Sequence, residues 1–237
     1  MILLLVALAT LVGALVQGLS GFGFSLVVAP VLVSTLGVRH GVQTVNVLAI
    51  SVNALFLLSD FRRVRWREVG LLLGPAAVTA LGAGFLVRVL DRGVLQIVAG
   101  TLTILGTIAL ARGLRLEVAH GKAGAVSAGA ISGVMNVVGG IGGPPVALYA
   151  VHEGWSPAAT RPTMQGYFLF LNAISLVALG LPAADANLGL GLAGLLLGWP
   201  LGLLLAGRIS VSATRRFVYI VAIAGGAAAI AKGAEAL

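Results

Sequence analysis

The chain has 237 residues, 59% of them hydrophobic and 9% charged, with a formal net charge of +8 and a mean hydropathy of +1.09. A soluble domain carries about 25% charged residues, so this composition excludes a water-exposed globule and directs the chain to a bilayer. The absence of cysteine excludes disulfides, thiol catalysis and cysteine metal sites.

Backbone amides in hydrocarbon need internal partners, which leaves helices or closed barrels. The long Leu, Val, Ala and Gly runs lack the alternation of barrel strands. The expected fold class is therefore an all-α polytopic membrane protein. Ten apolar segments follow one another: 2–17, 22–36, 42–59, 69–87 and 93–111, then 123–138, 143–151, 163–181, 187–207 and 217–231. The first lacks the basic start of a signal peptide and is expected to stay as a membrane segment. Segments 42–59, 69–87, 163–181 and 187–207 are long enough to span. Segment 22–36 is short and 143–151 shorter, and glycine-rich turns precede both.

The two sets of five correspond. Asn53 and Asn172 lie 119 residues apart, and the same offset pairs Thr44 with Thr163 and Asn46 with Gln165. A nearby offset pairs Gly74-Pro75 with Trp199-Pro200. This common order predicts two repeats, 1–115 and 116–237. Charge predicts their orientation. Arg62, Arg63, Arg65 and Arg67 follow the third segment, whereas the equivalent loop after the eighth, Leu181 to Asn187, has no basic residue. Under the positive-inside rule the first loop is cytoplasmic and the second is not. An odd number of segments per repeat then inserts the second copy upside down. Eleven basic residues fall inside, and only Arg39, Arg88, Arg92 and Lys232 fall outside. Both termini are expected on the periplasmic face.

Inverted repeats with short, glycine-interrupted segments at matching positions mark a transporter's substrate site. The two stretches are Gly18-Leu19-Ser20-Gly21-Phe22-Gly23-Phe24-Ser25 and Gly139-Gly140-Ile141-Gly142-Gly143-Pro144-Pro145. Glycine frees the backbone to turn, and a proline suits the first turn of a helix. These broken or re-entrant segments are expected to start helices within the membrane. Such helix ends carry unpaired N–H groups and partial positive charge, which attract an anion. The spans themselves are expected to hold no fixed cation at the site. Asn46, Asn53, Gln165 and Asn172 on the long helices are expected to complete the lining, with Gln17, Ser20, Ser25 and Asn136 near the breaks. A lone glycine in a membrane helix commonly serves packing, and a lone amide commonly joins helices. Two clusters at equivalent positions point to a site.

Other chemistries are poorly served. The basic residues form loop clusters without a stripe or interleaved aromatics, so no nucleic-acid partner is expected. His40, His120 and His152 show no metal-ligand spacing. Gly21-Phe22-Gly23 is not a dinucleotide fingerprint, and no phosphate loop is present. Asp60, beside Arg62 and Arg63, reads as a local ion pair, and His152-Glu153 is expected to serve a loop role, with titration during transport as the alternative.

At its glycine stretches the sequence resembles the sulfite exporter TauE/SafE family. The resemblance rests on Gly18-x-x-Gly21-Phe22-Gly23-Phe24 running into Val27-Val28-Ala29-Pro30, and on Gly139-Gly140-Ile141-Gly142-Gly143-Pro144-Pro145. Length, repetition and the basic loop fit too. Phe22 and Phe24 interrupt the run of three glycines that many relatives show. The resemblance implies a multi-pass transporter of the bacterial inner membrane, not an enzyme and without cofactor or metal. Its substrate would be sulfite or a small organosulfonate such as sulfoacetate. It also implies a site lined by Gly21, Phe22, Gly23 and Ser25 of the first turn and Gly140, Gly142, Gly143 and Pro144 of the second. Alternating access is the leading expectation. A passive anion channel and a membrane-embedded enzyme or assembly subunit stay as alternatives, and the state of oligomerisation is left open.

Overall fold

A computed structural model of the chain describes residues 2–21, 23–114, 120–206 and 208–237. Among them are ten α-helices and no strand: α1 (Ile2–Ser20), α2 (Phe24–Leu36), α3 (Val38–Asp60), α4 (Trp66–Val89), α5 (Arg92–Arg112), α6 (Gly121–Gly139), α7 (Gly143–His152), α8 (Pro157–Leu179), α9 (Ala186–Leu205) and α10 (Val211–Glu235). A single 3₁₀ turn, Phe61–Arg63, leads into the α3–α4 loop. The ten predicted segments fall one to one on the ten helices.

The sequence marks several helix ends with recognisable chemistry. Asp91, Asp185 and Ser210 cap α5, α9 and α10 by accepting the N–H groups of Gly93, Leu188 and Ala213. Gly113 and Gly140 close α5 and α6 in the left-handed conformation. Seven helices are long and apolar enough to cross a membrane: α1, α3, α4, α5, α8, α9 and α10. Helix α6 has 19 residues but is rich in glycine, alanine and serine. With 13 and 10 residues, α2 and α7 reach only about 20 and 15 Å. Exposed Leu4, Val78, Leu197 and Ile220 give the outer wall the apolar character of a lipid-facing surface.

Helices α3 and α8 form the centre. Of their spans 67% and 61% is buried, against 28–44% for the other five. Around this pair, α1 packs on α9, α4 on α6, and α5 on α10. Close approach is permitted by glycine. Gly194, Gly198 and Gly202 of α9 lie directly on the α1 carbonyls of Ala7, Leu11 and Leu15. Gly129 and Gly133 of α6 lie likewise on Leu72 and Ala76 of α4. Any side chain there would push the helices apart. Exchanging α1–α5 with α6–α10 turns the α1/α9 contact into α6/α4, α1/α2 into α6/α7, α2/α10 into α7/α5, and α4/α8 into α9/α3. It leaves α3/α8 and α5/α10 in place.

Candidate functional site

The first glycine turn joins α1 to α2. Gly21 has φ +72° and Gly23, at the cap position of α2, has φ +111°, a region that side chains avoid. Glycine offers no side-chain cap, so α2 borrows one: Gln17 Oε1 on α1 accepts the Phe24 N–H at 3.1 Å. Gln17 is 5% exposed.

The second turn repeats this construction. Gly140 has φ +70°, and Asn136 Oδ1 on α6 accepts the Gly142 N–H at 3.2 Å. Gln17 and Asn136, like Gly21 and Gly140, are 119 positions apart. The turn is also braced from α6: Ser132 Oγ donates to the Gly142 carbonyl at 2.6 Å, and Tyr167 on α8 donates to Ser132 Oγ at 2.9 Å.

Between the turns lies a cavity of about 40 Å³, room for about three waters. Its wall includes the first turn of α2 (Phe24, Ser25, Leu26) and the start of α7 (Gly142, Gly143). The N-termini of the two short helices therefore face one space. Gln17, Asn53, Asn136, Gln165 and Asn172 supply side-chain amides, while Ala49, Ile141, Met164 and Phe168 supply apolar surface. Among the described residues no acid is on the wall. Backbone N–H groups, two positive helix ends and neutral amides favour a small anion over a cation.

Asn136 also ties the central helices together. Its Nδ2 lies 3.0 Å from Asn46 Oδ1, 3.0 Å from Asn172 Oδ1 and 2.9 Å from Ser175 Oγ, all buried. Asn46 in turn donates to the Val42 carbonyl at 2.8 Å. Gln165 holds the other turn: its Nε2 donates to the Gly21 carbonyl at 2.9 Å. Its Oε1 is buried without a partner, which in a folded protein asks for an explanation.

Of the residues expected at the site, Gly21, Gly23, Ser25, Asn53, Gly142, Gly143, Gln165 and Asn172 are on the cavity wall. Asn46 stands behind it, joined through Asn136. Gly140 shapes the turn and faces Ala29 and Val45. Pro144 lines a separate apolar cavity of about 270 Å³ between α5, α6 and α7. Phe22 lies outside the described residues.

The expectation of no fixed cation near the site needs correction. Arg161, which charge counting assigns to a loop, sits in the first turns of α8 and is half-buried. Its side chain packs on Gly21, filling the space a side chain there would occupy. Its guanidinium lies 4.4 Å from the Phe56 ring centre, and its Nε has no hydrogen-bond partner. The spacing held a clue, since Arg161 precedes Gln165 by four positions and so shares its helix face.

The loop acids behave as expected. Asp60 pairs with Arg63 at 3.2 Å, and Glu153 accepts the Gly121 N–H at 2.8 Å while lying 3.8 Å from His120. Among the described residues no group of histidines and acids is arranged to hold a metal.

A family model described as sulfite exporter TauE/SafE matches residues 5–229, nearly the whole chain. Neither a curated protein nor a solved structure gives a significant match. With both glycine turns inside the matched span, the chain belongs to the sulfite exporter TauE/SafE family of membrane transporters.

Proposed function

We propose that this protein carries a small oxyanion, sulfite in the first instance, across the bacterial inner membrane by alternating access through the cavity between α2 and α7. The observation that carries this reading is the shared cavity itself, with two helix N-termini and five neutral amides on its wall. Its size supports the compact anion. Room for about three waters suits the four heavy atoms of sulfite better than the longer sulfoacetate. Arg161 stands at the rim beside Gly21 and Gln165 and adds positive charge; among the described residues it forms no direct ion pair, and Asp60 acts on it only from a distance.

Alternating access goes with two inverted repeats, 1–115 and 116–237, in which the α1–α2 and α6–α7 hairpins enter from opposite faces and stop midway. The exchange of helix contacts between the two halves, the paired amide caps and the matched φ values of Gly21 and Gly140 support it. The loop charges support a cytoplasmic Arg62–Arg67 loop and periplasmic termini.

The test is flux in proteoliposomes. A carrier gives saturable sulfite uptake and counterflow, both weakened in Asn53→Ala and Gln165→Ala. Currents that rise linearly with sulfite would replace the carrier by a channel. A protein that neither binds nor moves sulfite, thiosulfate or a sulfonate sinks the reading.

A further inference from the structure

The four cations that the charge pattern separates from the rest gather in one place. Arg39, Arg88 and Arg92 line a cavity of about 740 Å³ with His40, at the opposite end of α3 from the Arg62–Arg67 loop. Lys232 donates to the Ser34 carbonyl at 2.8 Å, one residue from the cavity wall at Thr35. Among the described residues no carboxylate is on that wall, and no ion pair joins Arg39, Arg88 or Arg92 to an acid. The neighbouring acids are Asp91, Asp185, whose partner His40 is itself on the wall, and Glu235, which adjoins the wall residue Ala236. Asp91 accepts the Gly93 N–H at 2.7 Å as the cap of α5, and Asp185 pairs with His40 at 3.2 Å while capping α9.

Helix stability does not account for these positions. Arg39 and Arg92 occupy the first turns of α3 and α5, where the helix dipole is positive and a cation is unfavourable. Arg39 and Arg88 do reach the α8 carbonyls of Leu179 and Ala178, at 3.5 and 2.8 Å. Those bonds hold the two side chains in place and leave most of the five N–H donors of each guanidinium for another partner. A cavity walled by one sign of charge concentrates ions of the other. Polar side chains lead inward from it. Gln43 is on its wall, Asn46 follows about one turn along α3, and Asn46 is bonded to Asn136 on the wall of the central cavity.

Resting on the transport reading above, we propose that this basin is a second oxyanion site, a vestibule that exchanges its ion with the central cavity across the Asn46–Asn136 layer. Its ligand is a small, strongly charged oxyanion such as sulfite. A lipid phosphate offers the same chemistry and is the competing source.

Equilibrium dialysis of labelled sulfite against the lipid-stripped full chain in an uncharged detergent tests this. Wild type is expected to bind two sulfites per chain. The weaker one is lost in Arg92→Gln and when salt rises from about 20 to about 300 mM, and is retained in Arg92→Lys. The tighter one is lost in Asn53→Ala. Arg92 is the position chosen because, unlike Arg39 and Arg88, it caps no helix, and a melting curve verifies that each variant is folded. One sulfite per wild-type chain overturns the vestibule, as does a weak site that survives Arg92→Gln or that added phosphatidylglycerol displaces. Flux separates the two claims. Two-site binding without sulfite flux removes the transport reading and keeps the basin, and flux with a single site does the reverse.

Discussion

The two glycine turns share a plan and differ in how firmly they are held. Each begins on a left-handed glycine, and each has the N–H at its helix start accepted by an amide on the preceding helix, seven residues back in the first and six in the second. Among the described residues Gln17 does only that. Asn136 does it and also binds Asn46, Asn172 and Ser175, while Ser132 and Tyr167 brace the same turn from the other side. The first turn has in their place Gln165 on the Gly21 carbonyl and Arg161 lying across Gly21. One turn is thus built into the α3–α6–α8 centre. The other is held by the face of α8 that also lines the cavity. A rigid half and a compliant half around one small space give a carrier something to move against.

The largest effect that would test this contrast is the loss of Asn136. In Asn136→Leu the Gly142 N–H and two of the three buried acceptors lose their partner. At about 1–3 kcal/mol for each group left unsatisfied, the expected loss exceeds about 3 kcal/mol. Gln17→Leu strands one N–H and is expected to cost about 1–2 kcal/mol. Denaturant unfolding in detergent measures both, and equal losses would break the contrast.

Gly21→Ala and Gly140→Ala come next. Both force a side chain into a positive-φ backbone, at about 1–2 kcal/mol. Their stability losses are expected to be alike while their flux is not, because only Gly21→Ala displaces Arg161. Matching flux in the two variants would remove Arg161 from the rim. Replacing that residue directly sharpens the point. Arg161→Gln loses a cation–π contact of about 0.5–1 kcal/mol, with a small change in melting temperature. Its KM for sulfite is expected to rise about tenfold, in line with the loss of a charged hydrogen bond of about 1.4 kcal/mol or more.

The smallest effect lies at the far end. Hydrogen bonds from the Leu188 N–H, then from Asn187 and His40, hold the Asp185 carboxyl below the usual range. A depressed carboxyl contributes stability above its unfolded pKa and loses it as pH falls through the folded value. Wild type should therefore lose melting temperature on acidification below about pH 4. Asp185→Asn, which still caps α9, should lose less over that interval. Parallel curves would dissociate Asp185 from acid stability.

Hydropathy made the ten helices legible, because each apolar run becomes a helix within six residues of its expected bounds. The same criterion concealed the cations. It starts the third segment at 42 and the eighth at 163, whereas α3 begins at Val38 and α8 at Pro157. Arg39 and Arg161 lie in those trimmed first turns, helical in fact but read as loop. A rule that ends a span at its first charge cannot report a charge packed within a span. The cavity-lining amides were legible from the repeat offset, since Asn53, Gln165 and Asn172 face the same space. What the offset could not convey is that Asn46 is bonded to Asn136 and faces inward to its neighbours. Pro144 misled for a similar reason: it begins the right helix but points to the side away from the cavity.

Asn136 has one amino group with two hydrogens, and three acceptors crowd it. At any instant one of them goes without, and the shortfall passes among α3 and the two partners on α8. Such a degenerate junction never commits fully to a single neighbour. Parting one helix from it surrenders less than a complete hydrogen bond, because the freed hydrogen turns at once to whichever acceptor had been waiting. The turn that Asn136 caps through its Oδ1 therefore stays held while the helices around its amino group exchange partners.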